Sequence, residues 1–252
     1  MFGSNPFASV TDFLFPLAMK LYVVLMIVSV ILGTLFDISH KGSAKFFAQR
    51  RERSRASAQR KLSSSETTAL AINTIAEAAV SGEFCKWPRR TSHLLMMYGF
   101  ILYVVTTVVM VFAYPEAGNT PPLLPALWVI GAFMIVVGGL WFFFFLRVNV
   151  AFDGASPFHL GRADLFIGSL LASAAFALLW HFAQTAYEGT TAPRILFALY
   201  LFFTTLLFVA VPWSKFAHMF FKPAAAFQKR IEEANGSSDL HRPTTQDFIV
   251  RS

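Results

Sequence analysis

Histidines are the side chains in this sequence best suited to hold a metal or move a proton. Four of the six fall at the ends of apolar runs: His40 after the first, His93 before the second, His159 before the fourth and His218 after the fifth. His181 lies near the opposite end of the fourth run and His241 in the polar tail. A solitary histidine at such a boundary is ordinarily a solvated side chain. Two imidazoles brought to one depth from separate helices can instead supply both axial ligands of a six-coordinate b-type haem. Spacing alone does not choose a pair among His40, His93, His159 and His218. The single cysteine, Cys85, excludes a disulfide framework and any cysteine-ligated iron–sulfur cluster held by this chain alone.

The elements that must position these residues follow from composition. Of 252 residues, 56% are hydrophobic and 14% charged, and the mean hydropathy is +0.56. A soluble domain carries about 25% charged residues, so the chain reads as an integral membrane protein. Five apolar runs approach the ~20 residues that a helix needs to cross the hydrocarbon. They are 17–36, 94–114, 123–146, 163–182 and 195–213. Backbone polar groups in lipid must be satisfied internally, so each is expected to be a helix, giving an all-α bundle of five transmembrane helices. The first run exceeds a signal-peptide core and has no small-residue cleavage site behind it, so it is expected to remain as a span.

Basic residues set the expected direction. Segment 38–92 holds 11 Lys and Arg, 147–162 holds 2 and 214–252 holds 6, which places 19 of 21 on one side. The positive-inside rule then puts the N-terminus outside and the C-terminus in the cytoplasm. The formal charge of +7 thus belongs to topology and anionic headgroups, and no nucleic-acid partner is expected. Uninterrupted spans with almost no charge also count against a transporter.

The expected organisation is an outer N-terminus and first span (1–37), a basic cytoplasmic loop (38–92), a bundle of spans two to five (93–218) and a partly disordered cytoplasmic tail (219–252). Within the loop, Ser63-Ser64-Ser65-Glu66 precedes an Ala/Ile-rich run, 67–80, which predicts a short, serine-capped amphipathic helix.

Three stretches carry a resemblance. Ser92-His93-Leu94-Leu95-Met96-Met97-Tyr98-Gly99-Phe100 resembles the start of span two in nitrate reductase gamma-subunit-like membrane proteins, and Pro212-Trp213-Ser214-Lys215-Phe216-Ala217-His218 resembles the end of their span five. Gly161-Arg162-Ala163-Asp164 at the opening of span four also fits, and the likeness covers about residues 10–225. The basic insertion and the segment ending Arg89-Arg90-Thr91-Ser92-His93 are most similar to the membrane anchors of dissimilatory adenylylsulfate (APS) reductase.

That resemblance implies an electron-transfer and anchor subunit in a bacterial inner membrane. It would link a soluble, cytoplasmic flavin and iron–sulfur enzyme, an adenylylsulfate reductase, to the quinone pool. The sequence itself contains no flavin fingerprint, cysteine cluster or catalytic triad, so whether this subunit is itself an enzyme stays open. The resemblance assigns His93 and His218 as ligands of haem b iron. Ser92, Ser214 or backbone carbonyls would then accept their ring N–H groups, and Arg89, Arg90 and Lys215 would lie near the propionates. Pro212 is expected to kink span five, and Gly99 to admit a porphyrin or a helix. Gamma-type subunits hold a second haem at positions that are Tyr103 and Tyr200 here, so one haem is expected. Eighteen residues are five helical turns, which would place Tyr200 on the face of His218.

Quinone candidates are Lys20, Tyr103, His181 with Tyr187, and Tyr200, with His159 and Asp164 a further pair. A haemless anchor that tethers the soluble enzyme is the alternative reading.

Overall fold

The computed structural model describes residues 3–40, 42–82, 84, 86–147, 161, 164–211 and 218–238, with the backbone alone for 43, 44, 117 and 218–220. Among these residues there are eight long helices and no strand: α1 Pro16–His40, α2 Ser43–Ala56, α3 Ser64–Ala79, α4 Trp87–Ala113, α5 Leu123–Trp141, α6 Leu165–Ala186, α7 Ala192–Val209 and α8 His218–Asn235. A π-helical turn, Phe142–Leu146, prolongs α5. Five helices are long and apolar enough to cross a membrane: α1, α4, α5 with its extension, α6 and α7. They coincide with the five expected spans.

The contacts divide the chain into two compact units, 1–38 with 80–218 and 39–79 with 219–252. In the first, α5 packs between α4 and α6, and α7 packs on α6. Helix α1 is fastened to α7 by the Tyr22 hydroxyl, 3.1 Å from the Leu201 carbonyl and 3.0 Å from Thr205 Oγ1.

Small residues set the tightest contact. A Cβ at Gly99 would lie 2.8 Å from the Gly131 carbonyl oxygen, and one at Gly131 would lie 2.8 Å from the Tyr103 nitrogen. Seven residues away on both helices, the Ser92 hydroxyl donates to the Gly138 carbonyl at 2.9 Å. The pairs 92/138 and 99/131 share one antiparallel register, so a heptad of small residues brings the two backbones together. Gly99 therefore admits a helix.

In the second unit the basic segment and the C-terminal segment form one body. Residues 39–79 hold two helices, α2 over the charged, helix-forming stretch 48–56 and α3 where the amphipathic helix was expected, and α8 runs to Asn235 within the tail expected to be partly disordered. Its end is a Schellman turn: Gly236 has φ +79°, and the Ser237 N–H donates to the Glu232 carbonyl at 3.0 Å. The N–H groups of Gln59 and Arg60 both reach the Asn235 carbonyl, and Arg60 Nε donates to that of Ala234 at 2.9 Å. Donors from residues 59–60 thus satisfy carbonyls that the end of α8 leaves open.

The serine cap before α3 is a reciprocal box. Ser63 N–H donates to Glu66 Oε2 at 2.8 Å, and Glu66 N–H donates to Ser63 Oγ at 3.2 Å. The Ser63 backbone bond, followed by Arg60 at 2.7 Å, lowers the Glu66 pKa to about 2. A depressed carboxyl stabilises above its unfolded pKa of about 4.3 and loses that contribution as pH falls through the folded value. Protection of the 64–70 amides, corrected for intrinsic exchange, should accordingly fall between pH 4.5 and 2. Glu66→Gln should flatten that dependence, and an unchanged slope in the variant would assign it elsewhere.

Candidate functional site

Helix α4 begins at Trp87, seven residues before the apolar run, because Pro88 occupies its first turn, where a missing N–H costs nothing. His93 consequently stands in the second turn, about 9 Å along the axis from Trp87. Its ring is held from two sides. Nδ1 is 2.8 Å from the Ser81 hydroxyl, and the Phe84 ring centroid is 5.0 Å away.

Ser81 is 2% exposed and has φ 49°, the left-handed region, which costs a non-glycine residue about 1–2 kcal/mol. Backbone strain persists where surrounding contacts enforce it. Part of that enforcement is Arg90, whose Nε donates to the neighbouring Val80 carbonyl at 2.8 Å. In the tautomer that donates Nδ1–H to Ser81, Nε2 carries the lone pair, which is how metal-ligating histidines are commonly oriented.

Ser92 does not serve His93. Its hydroxyl turns instead onto α5, a helix face about 100° away from that of the following residue. Arg89 Nη2 donates to the Leu146 carbonyl at 3.0 Å and so caps the end of α5. Both arginines expected near propionates thus spend one donor on a backbone carbonyl.

His218 opens α8, but its side chain lies outside the described residues, as do His159, Pro212, Ser214 and Lys215. Helix α7 ends at Val209, with Ala210 and Val211 in a turn. A residue before proline is driven from helical dihedrals, which accounts for a stop ahead of position 212. The five-turn phase from Tyr200 to His218 is therefore not carried by one continuous helix. His40 is the exposed last residue of α1.

Three of the quinone candidates, Tyr103, His181 and Tyr200, converge in one buried aromatic cluster. Tyr103 stacks on Trp128 with centroids 5.4 Å apart, Tyr200 stacks on Trp180 at 5.5 Å, and His181 meets the edge of Trp128 at 5.9 Å. Tyr103 and Tyr200 are 5% and 3% exposed. The segment before α1 completes the cluster, for Phe7 lies against Trp128 and Trp180 at 5.7 and 5.4 Å. Asn5 donates to the Tyr114 carbonyl at 2.8 Å, and Gln184 donates to the Pro6 carbonyl at 2.9 Å. These bonds hold the segment in place. A recess of about 10 Å³ beside Phe7 has space for one water, not a quinone ring.

Lys20 stands outside this cluster, one turn into α1. Asp164 pairs with Arg147 at 2.5 Å, with side chains 19% and 10% exposed, and also accepts the Gly161 N–H at 2.9 Å. Sequence reading flagged Asp164 but missed Arg147. The available signal was a cation directly after one apolar run and an acid at the opening of the next.

Comparison with protein-family models, curated proteins and solved structures returned no match.

Proposed function

We propose that this chain is the membrane subunit of an oxidoreductase, passing electrons between a soluble adenylylsulfate reductase-like enzyme and the quinone pool through one b-type haem ligated by His93 and His218. The observation that carries the reading is the Ser81–His93 contact, a buried, strained serine whose hydroxyl holds Nδ1 of an imidazole at the end of a span. Haem held by two imidazoles exchanges single electrons. Ser81 orients the ring, and Phe84 shields it from water. Arg89 and Arg90 each retain guanidinium N–H groups beyond the one spent on a carbonyl, and with Lys215 these suit propionate carboxylates.

At the level of Tyr103 and Tyr200 the chain fills its own interior with indole, phenol and phenyl rings. That packing supports one haem rather than two. Pyridine haemochrome assay of the purified, full chain should give close to one haem per chain. A ratio near two overturns the single-haem reading, and no haem leaves the tethering anchor.

The soluble partner is assigned to the basic segment 41–92, with the cytoplasm on that side. Deleting 44–80 would also strip Arg50 from the buried Glu232, so charge reversal at the exposed Arg51 and Arg55 is the cleaner test. Arg51→Glu with Arg55→Glu should lower partner co-sedimentation with membranes by about tenfold, an effect of the size that charge complementarity supplies. Undiminished sedimentation would place the partner elsewhere.

A further inference from the structure

The second unit contains a cleft of about 240 Å³ between α2 and α8. Its α2 wall is Phe46, Gln49, Arg50, Arg53, Ser54 and Ser57, positions spaced by three and four that form one stripe along the helix. The stripe by which a helix meets its neighbour is ordinarily apolar. Here, past Phe46 at one end, it is made of amide, guanidinium and hydroxyl groups, which points to a polar occupant.

The charges in the cleft are assigned by their partners. Glu232 is held bidentately by Arg50, at 2.7 and 2.6 Å, and accepts from Gln228 at 3.0 Å. Its negative charge is thereby matched. Arg53 is exposed and makes no ion pair with any described carboxylate, leaving the cleft with one unmatched cation. Donors accompany it. Asn235 donates to Ser54 Oγ at 3.1 Å, and Ser54 and Ser237 share one hydrogen bond at 2.7 Å. One bond between two hydroxyls uses one proton, so the other remains for a ligand.

We propose that this cleft binds a phosphate group, with Arg53 supplying the charge and the Ser54–Ser237 pair a hydrogen bond. A guanidinium beside hydroxyl donors is the recognition chemistry of phosphate. Two features favour a phospholipid headgroup as its source. Helix α2 starts three residues after the end of span α1 and carries five cations against one acid. Phe46, 58% exposed, lines the same cleft and offers a ring to the glycerol and acyl portion.

The test uses the full chain in neutral detergent. Native mass spectrometry counts retained phosphatidylglycerol against phosphatidylcholine, and calorimetry titrates inorganic phosphate. One phosphatidylglycerol should be retained in preference to phosphatidylcholine. Arg53→Gln should weaken it at least tenfold and Ser237→Ala about threefold, whereas Arg51→Gln, the same charge loss outside the stripe, should leave it unchanged. Phosphate binding with the same dependence on Arg53, but without a preference for phosphatidylglycerol, keeps the site and assigns it to a free phosphate ester. Equal losses in Arg53→Gln and Arg51→Gln, or no binding of either probe, overturns the proposal.

Discussion

His93→Ala and, separately, His218→Ala should abolish the reduced haem absorbance while the protein stays in the membrane. A bis-imidazole site fails when either ligand is removed, because a methyl group offers iron no lone pair. Membrane insertion depends on the apolar runs, and His93 lies in the second turn of α4, clear of the Gly99–Gly131 contact. The prediction has a graded partner in Ser81→Ala, which keeps both ligands but frees the ring to change tautomer and rotate. Loss of such an orienting hydrogen bond typically costs about 10–100-fold in metal affinity. Ser81→Ala should accordingly retain haem at saturation but lose it to a scavenger such as apomyoglobin much faster than the parent. Removal of the absorbance by His40→Ala and His159→Ala, with His93 and His218 dispensable, would overturn the ligand assignment.

Replacing Gly131 by valine should destabilise the bundle more than other single surface or loop changes. The new Cβ would lie 2.8 Å from the Tyr103 nitrogen, 2.9 Å from the Gly99 oxygen and 3.2 Å from the Tyr103 Cα. All three are backbone atoms, which cannot rotate aside as a side chain would. The helices must separate, and in doing so they stretch the Ser92–Gly138 bond and loosen the Tyr103–Trp128 stack. Overpacking of this kind costs about 1–3 kcal/mol, or about 2–12 °C of melting temperature for a chain this size. Gly168→Val is the control, since a Cβ there meets nothing within 4 Å. Thermal unfolding in detergent, followed by tryptophan fluorescence, should separate the two variants clearly. Equal midpoints would mean that the α4–α5 approach is not close-packed.

Arg147 and Asp164 illustrate the border between what a sequence discloses and what folding adds. The five spans were legible because lipid imposes a length and an apolar composition on each helix independently of its neighbours. The box at Ser63 and Glu66 was legible for the same reason, as both partners lie within one turn. Packing relations were not. That Gly99 meets a helix backbone, that Ser81 rather than Ser92 holds His93, and that Phe7 enters the aromatic cluster of Trp128 and Trp180 all depend on interhelical register. So does the union of residues 39–79 with the C-terminal helix, where Arg50 and Glu232 stand 182 positions apart. Side chains pointing to a helix interface are chosen by the rotation and depth of two helices together, which between α4 and α5 are set where their small residues close against each other.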